Sequence, residues 1–89
     1  MKKNDLADIF VAEVINIFGE GSTSEESAIF NAFANIKTRP NFKENSIFNR
    51  YDVEYIKKEL AHVFRVDYED FDAMVFYNNN LNAVLNSAN

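Results

Sequence analysis

The sequence predicts an all-α fold, a small bundle of about four helices that forms a single domain over residues 1–89. Three observations support this prediction. Apolar residues recur at spacings of three and four along most of the chain, which is the period of a helix with one buried face. Residues that begin and end helices separate these segments, and no segment alternates as a strand would. With 47% apolar residues, nine Phe and no Cys, the chain has enough apolar bulk for a core without disulfides.

The first two predicted helices cover residues 5–18 and 24–37. Gly19 ends the first, because glycine readily adopts the left-handed conformation that follows many helices. Pro40 prevents continuation of the second, because proline lacks the backbone N–H that a helix needs. Before the second helix, two pairs have the spacing of a capping box, Ser22 with Glu25 and Thr23 with Glu26.

The last two predicted helices form a hairpin over residues 53–64 and 68–86. The third helix begins either at residue 46 or at residue 53, so the sequence leaves open whether Asp52 starts that helix or lies inside it. The apolar stripe of the fourth helix comprises Phe71, Met74, Val75, Leu81 and Leu85. Its second half is rich in Asn, a poor helix former, so we expect it to fray after Tyr77 unless its end docks on another surface.

The first helix is apolar on most sides, which favours a helix shared with another chain. Its main stripe comprises Leu6, Ile9, Phe10, Val14, Ile17 and Phe18. Val11 and Ile15 lie off this stripe and are the predicted contacts of a homodimer. The alternative is that segment 40–48 of the same chain covers them.

The charges fall into three blocks. Residues 5–36 hold six acids and no Lys or Arg, residues 37–65 hold seven Lys and Arg against four acids, and residues 66–89 hold four acids and no Lys or Arg. The net charge of −5 disfavours general affinity for nucleic acid, whose phosphates attract cations. The blocks either neutralise one another when the helices pack or leave a charged face for a partner.

The densest acidic cluster, at the start of the fourth helix, is the predicted protein-binding site. The predicted contacts are Asp67, Glu69, Asp70, Asp72 and Phe76. They would suit a partner with a basic surface. The alternative is that these carboxylates only cap the helix and face solvent. The cluster is not a calcium loop, because it lacks the central Gly and the terminal Glu.

The basic and aromatic middle of the chain, residues 37–65, supports an alternative function, a nucleic-acid-binding domain. Its predicted contacts are Arg50, Lys57 and Lys58. A helix-turn-helix built from the last two helices is disfavoured, because its second helix would bring Glu69 and Asp70 to the phosphates.

No group of residues has a spacing that indicates catalysis, so no catalytic residue, cofactor or metal ligand is assigned. The single histidine, His62, is interpreted as structural or solvent-facing, because no Ser or Asp stands at a recognisable spacing from it. Neither a membrane-spanning stretch nor a signal-peptide pattern is present, so we expect a cytoplasmic protein. The sequence thus predicts a small, acidic, non-enzymatic inhibitor or adaptor that acts by protein–protein contact.

Overall fold

The structure is a computed structural model that describes residues 5–39 and 48–85. These residues form five helices and no strand, which confirms the predicted small all-α bundle. The helices are α1 (Asp5–Gly19), α2 (Glu25–Lys37), α3 (Arg50–Phe64), α4 (Tyr68–Tyr77) and α5 (Asn79–Leu85). The fifth helix arises because the predicted helix over 68–86 is divided in two.

Asn78 divides that predicted helix. Its backbone is extended (φ −101°, ψ 106°), so α4 ends there. Its Oδ1 then accepts hydrogen bonds from the backbone N–H groups of Asn80 (3.0 Å) and Leu81 (3.1 Å), which caps the start of α5. The change of direction lets α5 bury Leu81 and Leu85 completely, so the end of the chain docks rather than frays within the described residues.

The described helices form a closed ring of contacts around one core. α1 packs on α2 and α3, α3 packs on α4, α4 packs on α5, and α5 returns to α2. Fully buried Phe10, Ile29, Leu60 and Leu81 come from four different helices. α2 and α4 both pack on α5 but make few direct contacts with each other, and an opening lies between the start of α2 and α4.

The buried stripe of α1 differs from the predicted one. Ala7, Phe10, Val11 and Val14 are buried, at a spacing of three and four, whereas Ile15 is 46% exposed. The predicted stripe did not include Ala7, which is fully buried here. The stripe is therefore rotated toward Val11, which belongs to this chain's own core.

α3 begins with a capping box that the sequence analysis left unassigned. Asn49 Oδ1 accepts from the backbone N–H of Asp52 (2.9 Å), and Asp52 Oδ2 accepts from the backbone N–H of Asn49 (3.1 Å). Asp52 therefore lies inside the first turn of α3 rather than before it. Phe48, just ahead of the cap, is 2% exposed and anchors the entry to the helix. The residues from 40 to 47, including the alternative start at 46, lie outside the described part of the chain.

The start of α2 differs from both predicted capping boxes. Ser24 is the N-cap, and its Oγ accepts from the backbone N–H of Ser27 at 3.2 Å. Glu25 and Glu26 occupy the first turn, where their charges suit the positive end of the helix dipole.

Candidate protein-binding surface

The turn between α3 and α4 sets the position of the predicted acidic site. Arg65 adopts the left-handed conformation (φ 58°) that ends α3. Its backbone N–H donates to the carbonyl of His62 (3.2 Å), and that of Val66 donates to the carbonyl of Ala61 (3.0 Å). This pair of hydrogen bonds is a Schellman motif. It ends α3 and leaves Val66 42% exposed beside the start of α4.

A groove of about 200 Å³ opens between α4, the end of α3 and the first residue of α2. Its lining residues are Glu25, Phe64, Val66, Asp70, Phe71 and Met74. Phe64 and Phe71 belong to the buried core and their rings lie 5.8 Å apart, so they form a rigid base. Four of the six lining residues are apolar, and the other two are acids. We call these six residues the α4 groove.

Large apolar side chains are exposed next to the α4 groove. The described residues expose six such side chains, and four of them lie on α4 or directly before it. These four are Val66 (42%), Met74 (41%), Phe76 (63%) and Tyr77 (81%). Tyr77 follows Met74 by three residues and so extends the same side of α4, and its ring contacts that of Phe76 at 5.2 Å. Phe76 itself lies about 200° around the helix from Met74, so only Tyr77 extends the groove. The groove and Tyr77 form one surface, which we call the α4 surface.

The predicted acidic contacts do not share one face of α4. Asp70 and Asp72 are two residues apart, which places them about 200° apart around the helix axis. Asp70 lines the α4 groove, whereas Asp72 faces α3 and its Oδ1 accepts a hydrogen bond from Lys57 Nζ at 2.5 Å. Asp67 is the N-cap of α4, but its side chain makes no capping hydrogen bond and it remains exposed. The predicted acidic contacts therefore do not form a single patch. Asp70 lies on the groove side of α4, and Asp72 lies on the side packed against α3.

The predicted nucleic-acid contacts are largely used within the chain. Lys57 is only 9% exposed and bonds Asp72, so it holds α4 against α3. Lys58 is exposed but lies 3.0 Å from Glu54, one turn away, and the Glu54 carboxylate raises the pKa of Lys58. Arg50 is exposed in the first turn of α3. Two of these three cations therefore offer less charge to phosphate than the sequence indicates.

A tyrosine hydrogen bond joins α1 to α3 on the other side of the bundle. Tyr55 donates its hydroxyl to Asp8 Oδ1 at 2.6 Å, and this bond raises the pKa of Tyr55 to about 12. Desolvation and the negative charges of Asp8 and Glu59 act in the same direction. A shallow depression of about 290 Å³ lies beside this contact, lined by Tyr51, Glu54, Tyr55 and Lys58. The Glu54–Lys58 pair occupies part of its wall, so the depression presents an internally neutralised surface.

The two predicted dimer contacts lie in different environments. Val11 is 5% exposed in the core, so it is not available to a second chain, whereas Ile15 is 46% exposed. A single exposed isoleucine is ordinary on the surface of a monomer. The basis for a dimer through α1 is therefore reduced to Ile15, and the dimer stays an untested prediction.

The remaining features concern His62, metal ligands and membrane spans within the described residues. His62 is exposed near the end of α3 and lines neither the α4 groove nor the depression beside Tyr55. Over 5–39 and 48–85, no three His, Asp or Glu side chains are placed to hold a metal ion. In the same ranges, none of the helices combines the length and apolar character needed to cross a bilayer.

No protein-family model, curated protein or solved structure matches this chain. Function therefore has to be inferred from the chain's own surfaces.

Sequence reasoning missed most of the residues that form the α4 surface. It predicted Met74 as part of the buried stripe, but Met74 lies about 60° from Phe71 around the helix and faces the opening between α2 and α4. It gave no binding role to Val66 or Tyr77, and it assigned Glu25 only to a capping box. One signal was present, because Phe71, Met74, Val75, Phe76 and Tyr77 together exceed the apolar residues that one buried face can hold.

Proposed function

We propose that this chain is a protein-binding module, rather than an enzyme, whose α4 surface contacts a partner with a basic surface. The observation that carries the proposal is that Val66 and Met74 are exposed in the groove and that Tyr77 extends the same side of α4. Phe76 is also exposed, but it lies about 200° around the helix from Met74. Met and aromatic residues are enriched in protein interfaces, where they supply contact area at a low cost in side-chain entropy. An inhibitor and an adaptor would both act through a surface of this kind.

The charge around the α4 surface supports a basic partner. Glu25 and Asp70 line the groove, and Asp67 and Glu69 are exposed at the start of α4. Within the described ranges, none of these four carboxylates takes part in an ion pair. Like-charge repulsion disfavours acidic partners, while a basic surface gains both attraction and a faster encounter. The net charge of −5 acts in the same direction.

Nucleic acid remains the alternative from the sequence, but no observation in the structure favours it. Lys57 is committed to Asp72 and Lys58 to Glu54. Phosphate contacts require exposed cations, because binding depends on the counterions that those cations release.

Capture from a lysate of the source organism tests the proposal, with the full chain immobilised as wild type, Asp70→Lys or Glu59→Lys. Both substitutions add the same charge, but Glu59 lies on the exposed side of α3, away from the groove. We expect the wild type and E59K to retain a common partner and D70K to lose it or bind it with a weaker salt dependence. A partner bound equally by all three proteins would remove the α4 surface from the proposal, and capture of nucleic acid alone would contradict it.

A further inference from the structure

We infer that the α4 groove takes one large apolar side chain from a peptide segment of the partner, and that Lys or Arg residues flank this side chain. The inference rests on the proposed function and specifies what the groove binds.

The size of the groove limits its occupant. Its volume is about 200 Å³, below the range of roughly 300–1,000 Å³ that is typical of sites for cofactors and drug-sized molecules. A single Leu, Met or Phe side chain is the protein group of matching size. Interfaces commonly place such an anchor in a pocket near their centre.

The lining of the groove matches an apolar anchor. Phe64 and Phe71 are 9% and 2% exposed and form the base, so this part of the groove is already built in the free chain. Val66 and Met74 form the exposed sides. The unbranched, polarizable side chain of Met74 can adjust to the shape of the anchor. A preformed base lowers the ordering cost of binding.

The charges of the groove determine what flanks the anchor. Glu25 lies in the first turn of α2 and Asp70 in the first turn of α4, and no Lys or Arg lines the groove. Cations beside the anchor would therefore find two carboxylates, whereas an acidic segment or a nucleic acid would be repelled.

A second copy of this chain is a poorer occupant than a basic partner. Among the described Lys and Arg residues, Lys37 lies over the Phe33 ring and Arg39 pairs with Glu13. Lys57 and Lys58 are also paired within the chain. In the described ranges of a copy, only Arg50 and Arg65 make no such contact, so a copy has few unengaged cations for the groove's carboxylates.

Titration of the full chain with short synthetic peptides, followed by amide-resolved NMR, tests the inference. The first peptide consists of lysine and alanine with one central phenylalanine; in the second, alanine replaces phenylalanine; in the third, glutamate replaces every lysine. We expect the first peptide to shift the amides of Phe64, Val66, Asp70 and Met74. The second peptide should bind at least about tenfold more weakly, the factor expected for losing the burial of one large apolar side chain. The third should not bind.

A matched pair of variants separates the groove from general attraction between opposite charges. Met74→Lys places a cation in the groove, and Ala73→Lys adds the same charge at the neighbouring exposed position outside it. We expect M74K to weaken the phenylalanine peptide at least about tenfold and A73K to bind as the wild type does. Thermal melts establish that both variants fold, and Val66→Lys replaces M74K if that variant is unfolded.

Three results would overturn the inference. They are equal affinity for the phenylalanine and alanine peptides, shifts centred outside the groove, and groove shifts that depend on protein concentration without any peptide, which would assign the groove to a second copy. The inference and the proposed function fail separately. If lysate capture depends on Asp70 but the peptide misses the groove, the proposed function is retained and this occupant is removed. If the peptide binds the groove but no partner is captured, the occupant is retained and the proposed function loses its support.

Discussion

α3 and α4 are neighbouring helices that use their side chains in opposite ways. α3 packs on both α1 and α4, and its polar groups form bonds inside the chain: Tyr55 with Asp8, Lys57 with Asp72, and Lys58 with Glu54. α4 packs on α3 and α5, but it exposes Met74, Phe76 and Tyr77.

Both helices have two packing neighbours, so the difference follows from where those neighbours lie. α1 and α4 cover two sides of α3, so its apolar stripe is enclosed. α4 has no extensive contact with α2 across the ring, and the α4 groove lies in that opening. The exposed apolar area on α4 is thus a consequence of the helix arrangement, and it is the part of the molecule most suited to a partner.

Removing an apolar ring from each side of α4 gives the largest expected contrast. Phe71→Ala removes a side chain that is 2% exposed and should lower the free energy of unfolding by about 3–5 kcal/mol. Phe76→Ala removes one that is 63% exposed and should change it by no more than about 0.5 kcal/mol. Denaturant unfolding measures both. Similar losses for the two variants would show that Phe76 belongs to the core and would contradict the division of α4 into two sides.

The two aspartates of α4 should differ by a smaller amount. Asp72→Ala removes the hydrogen bond to Lys57 and should destabilise the chain by about 1–2 kcal/mol, because solvent partly screens this half-exposed carboxylate. Asp70→Ala should change stability by no more than about 0.5 kcal/mol, since its carboxylate has no partner in the described ranges. Thermal or denaturant unfolding gives both values, and the opposite ranking would assign the structural role to Asp70.

The pH dependence of the α1–α3 contact gives the last test, on a contact that does not involve α4. The pKa of Tyr55 is raised to about 12, above the value of about 10 for a free tyrosine, so the folded chain holds this proton more tightly than the unfolded chain. The resulting stabilisation is complete below about pH 10 and is lost as the pH rises through about 12.

Ultraviolet titration of the four tyrosines measures this shift. One tyrosine of the wild type should ionise about two pH units after a free tyrosine. Tyr55→Phe should remove that late step, and Tyr51→Phe, the matched control on the same helix, should retain it. A late step that persists in Y55F would show that Asp8 does not hold the Tyr55 hydroxyl.

The sequence predicted the helices better than it predicted the surface. Periodicity was sufficient for α3, where Ile56, Leu60 and Phe64 recur at a spacing of four and are all buried. It was insufficient at Val11 and Met74, because the burial of a residue at the edge of a stripe depends on which helix packs beside it. The helix breaks at Asn78 because the Asn78 side chain caps the following helix. The poor helix propensity of Asn does not by itself predict which Asn residue forms such a cap.

The candidate site was predicted only in part. Asp70 is exposed and lines the α4 groove, and its role in binding stays a prediction. Asp72 was grouped with it although it pairs with Lys57. The sequence analysis assigned Lys57 to nucleic-acid binding and Asp72 to protein binding, which are alternative functions. Only the packing of α3 against α4 shows that these two residues bond each other.

Amide hydrogen exchange of the full chain, alone and with its captured partner, tests the central claim most directly. If the α4 surface is the binding site, amide exchange over residues 66–77 should be slower in the complex. Exchange near Ile15 and on the exposed face of α3 at Tyr51 should not change. Slower exchange at Ile15 or Tyr51, with residues 66–77 unaffected, would contradict it.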